Sequence, residues 1–211
     1  MADAPPIVMI IDDDPVFRDS VALLLRSLGL KTLSFGSVSD FLKSDLPDGP
    51  TCMVLDVRLP DQSGIDFQRE LFEANRQFPV IFITGHGDIP MSVQAMKRGA
   101  IEFLTKPFRD QDLLDAIQVG LARDRARRER EKDLQALRQR FEALSPREQE
   151  VMIHVARGRL SKQIAGDIGI AEATVKVHRS NLMRKMNARS LPELTRMADT
   201  LKLTHEKPPR S

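Results

Sequence analysis

Five polar side chains stand where apolar runs of the chain give out. Asp12 and Asp13 close the run Ile7–Asp12, Asp56 closes Thr51–Asp56, Thr84 closes Pro79–Thr84, and Lys106 follows Ile101–Leu104. Three carboxylates gathered at one place repel each other and call for a hard cation with oxygen ligands. Mg²⁺ fits, because it is held by few carboxylates together with water and phosphate oxygens. An ionised Asp56 beside such a cation is a nucleophile toward a phosphoryl group. Lys106 then supplies a point charge for the phosphoryl oxygens and Thr84 a hydroxyl. Taken singly, each residue has a plainer role. Asp12–Asp14 could be an acidic cluster at a helix N-terminus, Thr84 an ordinary strand end, and Lys106 a surface charge. The five placements together outweigh those readings.

The elements that must position these residues alternate. After the first strand, Pro15–Leu28 has helical spacing through Phe17, Val21, Leu24, Leu25 and Leu28 and stops at Gly29. Thr32–Phe35 reads as a second strand and Val38–Lys43 as a helix. The Pro60–Gly64 turn leads into a helix over Ile65–Asn75, Asp88 can cap a helix running to Arg98, and Asp110 opens another. Strands three and four, VLDV and VIFIT, are continuously apolar, as the interior of a parallel sheet covered on both faces requires. Five βα units therefore predict an α/β doubly wound, five-stranded parallel sheet. In the order 2-1-3-4-5 the topological switch point lies between strands one and three, so it gathers the three acids.

Composition narrows the classes. The single cysteine, Cys52, rules out an intramolecular disulfide and a cysteine zinc cluster, and suits a small buried hydrophobe. His86, His154, His178 and His205 are too scattered for a metal cluster, and there is no G-x-x-x-x-G-K-[ST] phosphate loop. Haloacid dehalogenase enzymes also pair an aspartate nucleophile with Mg²⁺, but they carry D-x-D, whereas Val57 and Arg58 follow Asp56. No apolar run approaches the roughly 18 residues of a membrane span, and no signal-peptide pattern opens the chain, so a cytoplasmic protein is expected. Charge is distributed unevenly. Residues 1–120 hold 11 basic against 18 acidic side chains, residues 121–144 hold 8 against 5, and residues 145–211 hold 13 against 7. An acidic front and a basic tail suggest that the tail meets a polyanion.

Asp12-Asp13, Asp56, Thr84 and Lys106-Pro107-Phe108 resemble the receiver domain of two-component response regulators in order, spacing and strand placement. The stretch TGHGDIPMSVQAMKRGAIEFLTKPF is similar to the FixJ/StyR/TodT-like branch of the LuxR/NarL class. That resemblance implies a flavodoxin-like receiver in which Asp56 accepts phosphate from a sensor histidine kinase. It implies that Asp13, Asp56 and the backbone carbonyl of Arg58 hold Mg²⁺, with Asp12 in the same acidic set. It further implies a cis Lys106–Pro107 bond and an aromatic switch residue at Phe103. Arg58 and His86, two positions after Asp56 and Thr84, would then flank the water that hydrolyses the acyl phosphate and so tune its lifetime.

From Asp110 to about Leu144 there is no proline and one glycine, Gly120. Leu113, Leu114, Ile117 and Leu121 form an apolar stripe, and Leu134, Leu137, Phe141 and Leu144 a second with 3-4-3 spacing. The basic middle predicts a solvated helix supported by pairs such as Asp124–Arg128 and Arg125–Glu129. Beyond it, Ser145-Pro146 with Glu148 has the form of a capping box. Two short helices, Leu160–Asp167 and Ala171–Met186, flank a turn through Gly169, which is the pattern of a helix-turn-helix. Lys176, Arg179, Ser180 and Arg184 lie on or near the polar side of its second helix. A four-helix interaction module with a solvated basic face is the plainer alternative. Single-strand binding is disfavoured, because no Phe, Tyr or Trp follows Phe141 to stack bases.

LSPREQEVM, SKQIA and TVKVHRSNLMRKM resemble the LuxR/NarL type of DNA-binding domain. By that resemblance Lys176 and Val177 approach base edges, while Lys162, Thr174 and His178 serve mostly phosphates. The expected organisation is a receiver at 1–120, a helical linker at 121–143 and an all-α helix-turn-helix domain at 144–211. The expected function is phosphorylation-controlled transcription regulation by a non-enzyme that forms a homodimer when phosphorylated and binds a duplex DNA operator.

Overall fold

The computed structural model describes residues 4–45, 48–85 and 89–203. His86, Asp88 and His205 lie outside the described residues. The chain divides into two compact units, Met1–Arg128 and Glu129–Ser211.

The first unit alternates strand and helix: β1 (Ile7–Ile11), α1 (Pro15–Ser27), β2 (Lys31–Phe35), α2 (Val38–Leu42), β3 (Thr51–Asp56), α3 (Gly64–Glu73), β4 (Val80–Thr84), α4 (Ile89–Lys97) and β5 (Glu102–Thr105). The strands form one parallel sheet, as the alternation predicts, and its order is β2-β1-β3-β4-β5. Because side chains alternate across a strand, each central strand feeds two cores. Met9, Ile11, Met53, Leu55 and Phe82 pack with Val38 and Phe41 of α2 and Ile65, Phe67 and Leu71 of α3. Val8, Ile10, Cys52, Val54, Ile81 and Ile83 face Val21 and Leu25 of α1 and Leu113 and Ile117 of the following helix. Burial on both faces is why β3 and β4 read as unbroken apolar runs.

That following helix, α5, is one α-helix over Asp110–Glu142. Gly120 lets it come close to the sheet, since a Cβ there would lie 2.5 Å from Cys52 Sγ. The middle of α5 is largely exposed, as expected, with one exception. The Asp124–Arg128 pair exists, with Nε to Oδ2 at 2.7 Å, but Asp124 is fully buried. Its Oδ2 also accepts from the Thr51 N–H at 2.8 Å and from Thr51 Oγ1 at 3.3 Å. Arg127 grips Oδ1 through Nε and Nη2 at 2.9 and 2.6 Å. The apolar spacing Leu113, Ile117, Leu121 places the next inward position at Asp124, so the carboxylate closes the stripe as a tie to the start of β3.

The second unit is helical: α6 (Pro146–Ala156), α7 (Ser161–Ile168), α8 (Glu172–Met186) and α9 (Leu191–Thr200). Val151, Met152, Val155, Ile164, Val175, Leu182, Met186 and Leu194 form its core, with Leu137 and Phe141 of α5 packed against it. Ser145 and Glu148 form the expected capping box at α6.

Candidate functional site

The register of the sheet assembles the acids. Ile11 of β1 pairs with Leu55 of β3, so the residues that follow, Asp12 and Asp56, emerge side by side at the same edge. Asp12, Asp13 and Asp56 each offer a carboxylate oxygen, and these lie within 4.8 Å of one another. Asp12 and Asp56 are buried and Asp13 is exposed. Asp14 is left to cap α1, accepting from the Val16 and Phe17 amides. The helix-cap reading therefore belongs to Asp14, while Asp12 accepts the Asp14 N–H through Oδ1 at 2.9 Å and keeps Oδ2 for the site.

Lys106 reaches the cluster from beyond β5. Its Nζ donates to Asp12 Oδ2 at 2.6 Å and to Asp56 Oδ2 at 3.0 Å, and it lies 3.8 Å from the centre of the Phe17 ring. The Lys106 N–H is held by the Thr84 carbonyl at 2.8 Å, and the Lys106–Pro107 bond is cis. Burial raises the Asp12 pKa above the usual carboxylate range, although Lys106 and the Asp14 amide oppose this. Burial alone would lower the Lys106 ammonium, but its bonds to Asp12 and Asp56 hold it above its ordinary value. Asp56 Oδ1 accepts the Arg58 N–H at 2.8 Å. Gly64 fits under the acceptor only because it lacks a side chain, since a Cβ there would lie 2.2 Å from the Asp56 carbonyl oxygen.

Three carboxylates facing one ammonium leave an excess of negative charge at an oxygen-only donor set. That donor chemistry suits a hard divalent cation such as Mg²⁺. The structure brings Asp12, Asp13, Asp56 and Lys106 together and sets Thr84, fully buried, at the end of the neighbouring strand. Phe103 is half-buried one strand over, its ring 6.2 Å from Phe82. Arg58 is exposed, and His86 falls outside the described residues.

In the second unit, α7 and α8 are joined through Gly169, which adopts the left-handed conformation at φ +69°. Val175, Leu182 and Met186 of α8 face the core, leaving Thr174, Lys176, Val177, Ser180 and Arg184 exposed and His178 half-buried. Lys162 of α7 is exposed as well. Arg179 has a structural duty, donating from Nη1 to Ser161 Oγ at 3.0 Å and so tying α8 to the start of α7. Lys176 is paired with Glu172 one turn earlier at 2.9 Å. Beneath the helices, Lys185 donates to the buried Glu148 at 2.6 Å, a bond that holds the Glu148 carboxyl below its usual range. Glu172, and the Lys185 partner of Glu148, are absent from the sequence expectations. The four-residue spacing of Glu172 and Lys176 is the signal that could have shown the first.

Two family profiles match the chain. "Response regulator receiver domain" matches residues 8–118 and "Bacterial regulatory proteins, luxR family" matches residues 142–198. Nodulation protein W of Bradyrhizobium diazoefficiens is 53% identical over 200 residues, covering 95% of this chain and 88% of its own. Response regulator protein TodT of Pseudomonas putida is 46% identical over 202 residues, covering 96% and 89%. Among solved structures, response regulator StyR matches with a TM-score of 0.82 at 48% identity, over 93% of this chain and 99% of that one. Among the described residues no helix is long and apolar enough to cross a membrane.

Proposed function

The chain belongs to the response regulators that join a receiver domain to a LuxR-family DNA-binding domain, and from that premise we propose that Asp56 is the phosphoacceptor through which a sensor histidine kinase controls the DNA-binding unit. The carrying observation is the Lys106 ammonium bonded to both Asp12 and Asp56 at the carboxyl edge of the sheet. A carboxylate oxygen of Asp56 attacks the phosphorus of a phosphohistidine, the P–N bond breaks, and the imidazole leaves with its electron pair. Lys106, already at Asp56 Oδ2, meets the incoming phosphoryl oxygens. The Arg58 N–H holds Oδ1 and so fixes the carboxylate plane. Asp13, Asp56 and the Arg58 carbonyl would hold Mg²⁺, with Asp12 beside them, and the ion would supply charge to offset the phosphoryl oxygens. Arg58 and His86 tune how long the acyl phosphate survives, and the receiver does no other chemistry.

Thr84 contacts the phosphoryl group and Phe103 follows it, changing the face formed by α4 and β5, where Val93 and Met96 are exposed. Homodimerisation on that face presents two DNA-binding units to paired half-sites and raises affinity through effective concentration. In each, Lys176 and Val177 read base edges, Lys162, Thr174 and His178 hold phosphates, and Arg179, Ser180 and Arg184 border them. The working division is receiver 1–120, linker 121–143 and DNA-binding domain 144–211, in the cytoplasm. The test is acetyl phosphate with Mg²⁺ and intact mass. One phosphoryl group is expected on the wild type and none on Asp56→Asn; continued labelling of that variant removes Asp56 from its role.

A further inference from the structure

Asp61 lies in the loop that leaves the phosphoacceptor, yet its carboxylate serves a different element. Oδ2 accepts the Ser39 N–H at 2.8 Å and Oδ1 the Val38 N–H at 3.5 Å, the open amides of the first turn of α2. That helix already has its own cap, since Ser37 Oγ accepts the Asp40 N–H at 3.1 Å. The bond from Asp61 is therefore additional to what α2 needs in order to start. Burial would raise the Asp61 carboxyl, but the Ser39 and Val38 amides outweigh it and hold the group below its usual value. It is a charged acceptor at working pH.

The two ends of this tie differ in firmness. On the α2 side, Val38 and Phe41 are buried, and Phe41 makes edge contacts with Phe35, Phe67 and Phe78 at 5.6, 5.6 and 6.1 Å. On the other side, the loop between β3 and α3 is closed at its base by Gly64 N–H to the Val57 carbonyl at 2.9 Å and by the bridge between Arg58 and Ser63. Between those base contacts the chain turns through Leu59, Pro60, Asp61 and Gln62. The Arg58 peptide is the first of this stretch, with its N–H on Asp56 Oδ1. The Arg58 carbonyl belongs to the next peptide, Arg58–Leu59, where the base contacts give way to the turn, so a swing of the turn would re-aim that carbonyl while the Arg58 N–H stays on Asp56.

We infer that Asp61 is a positioning residue for the phosphorylation site, tying the loop after Asp56 to the start of α2 so that the Arg58 carbonyl stays aimed at the acidic cluster. The inference rests on the reading of the Arg58 carbonyl as a Mg²⁺ ligand. It assigns Asp61 no contact with the cation or the phosphoryl group.

The test is calorimetric titration of Mg²⁺ into the full-length, unphosphorylated protein, with thermal stability measured alongside. Asp61→Ala should weaken Mg²⁺ binding about tenfold, the low end for residues that orient metal ligands. Asp61→Asn keeps one acceptor oxygen and should restore most of the affinity. Ser37→Ala removes the helix's own cap without touching the loop, so it should lower stability and leave Mg²⁺ affinity unchanged. A wild type that binds Mg²⁺ together with an Asp61→Ala protein within twofold of it overturns the inference and leaves the site reading standing. A Ser37→Ala protein weakened as much as Asp61→Ala overturns it too, since helix disruption would then explain both. A wild type that takes up no Mg²⁺ overturns the site reading and this inference together.

Discussion

Replacing Asp124 with alanine removes a buried carboxylate that accepts from Thr51 at the start of β3 and from Arg127 and Arg128 on its own helix. The largest consequence falls on Thr51, which is fully buried and whose N–H loses its acceptor. A buried donor left unsatisfied costs about 1–3 kcal/mol. Arg127 and Arg128 contribute less to the loss, because their side chains are 26% exposed and can turn to water, so neither is left unsatisfied. The expected destabilisation is about 2 kcal/mol. For a unit of 128 residues, with an unfolding entropy of about 2.1 cal/mol/K per residue, the receiver transition should fall by about 7 °C.

Scanning calorimetry of the full chain measures this at the transition that rises when Mg²⁺ and beryllium fluoride are added. Asp124→Asn separates the two contributions, since its carbonyl can still accept from Thr51 while both arginines lose their anion; its cost should be under half that of alanine. Acid gives a second check. Burial raises the Asp124 carboxyl, but Arg128, the Thr51 amide and Arg127 outweigh it and hold it below its ordinary 3.8. A carboxylate with a depressed folded value stabilises above its unfolded value, and that contribution fades as pH falls toward the folded one. The gap between wild type and Asp124→Ala should therefore be constant near neutrality and shrink below about pH 4. A gap under about 0.5 kcal/mol at neutral pH, well below the cost of an unsatisfied buried donor, would refute the reasoning.

Two further outcomes are expected. Lys162→Ala should weaken binding to all duplexes and reduce the slope of log K against log salt by roughly one, whereas Lys176→Ala should relax base preference at one position per half-site; equal effects on every sequence in both variants would remove Lys176 from base reading. Sedimentation with beryllium fluoride should show the wild type as a dimer and Thr84→Ala as mostly monomer, and a monomeric wild type that still gains DNA affinity would replace dimerisation with unmasking.

The acid–lysine cluster was legible in the sequence because its groups sit at strand ends, and strand ends are marked by where apolar runs stop. Asp12, Asp56 and Lys106 needed only the parallel order to be placed together, and the helix-turn-helix announced itself through Gly169 between two short periodic segments. What stayed hidden were polar partners remote in sequence. Asp124 followed by Arg127 and Arg128 has the same spacing on a solvated helix as on one that ties down Thr51, 73 residues away. Asp61 binding the Ser39 amide and Glu148 binding Lys185 are of the same kind, at separations of 22 and 37 residues. Periodicity reports which face of an element is buried, but not which polar group completes another element's unpaired amide. For Asp124 the stripe through Leu113, Ile117 and Leu121 carried the hint, because an acid at the next inward position must find donors or disrupt the packing.

Two cations that the proposed function assigns to anions are already held by carboxylates, and the two cases differ in what an arriving anion must displace. Lys106 is bonded to Asp12 and Asp56, and Asp56 is itself the proposed phosphoacceptor. On the proposed function, phosphorylation would convert one of its partners into a richer acceptor, leaving Lys106 in place and the rearrangement to Thr84 and Phe103. Lys176 is in the opposite position. To reach a base edge it must leave Glu172, whose carboxyl it holds below the usual range. Both members of that pair are well exposed, so separating them is easy. Glu172 is then left at the start of the recognition helix, close enough to Lys162 to feel its charge. An acid there repels phosphates and tolerates a base edge only where it meets a donor, such as the amino group of cytosine. On that proposal the DNA-binding face would penalise indiscriminate duplex contact, while at the receiver site the incoming group would inherit a cation already in position.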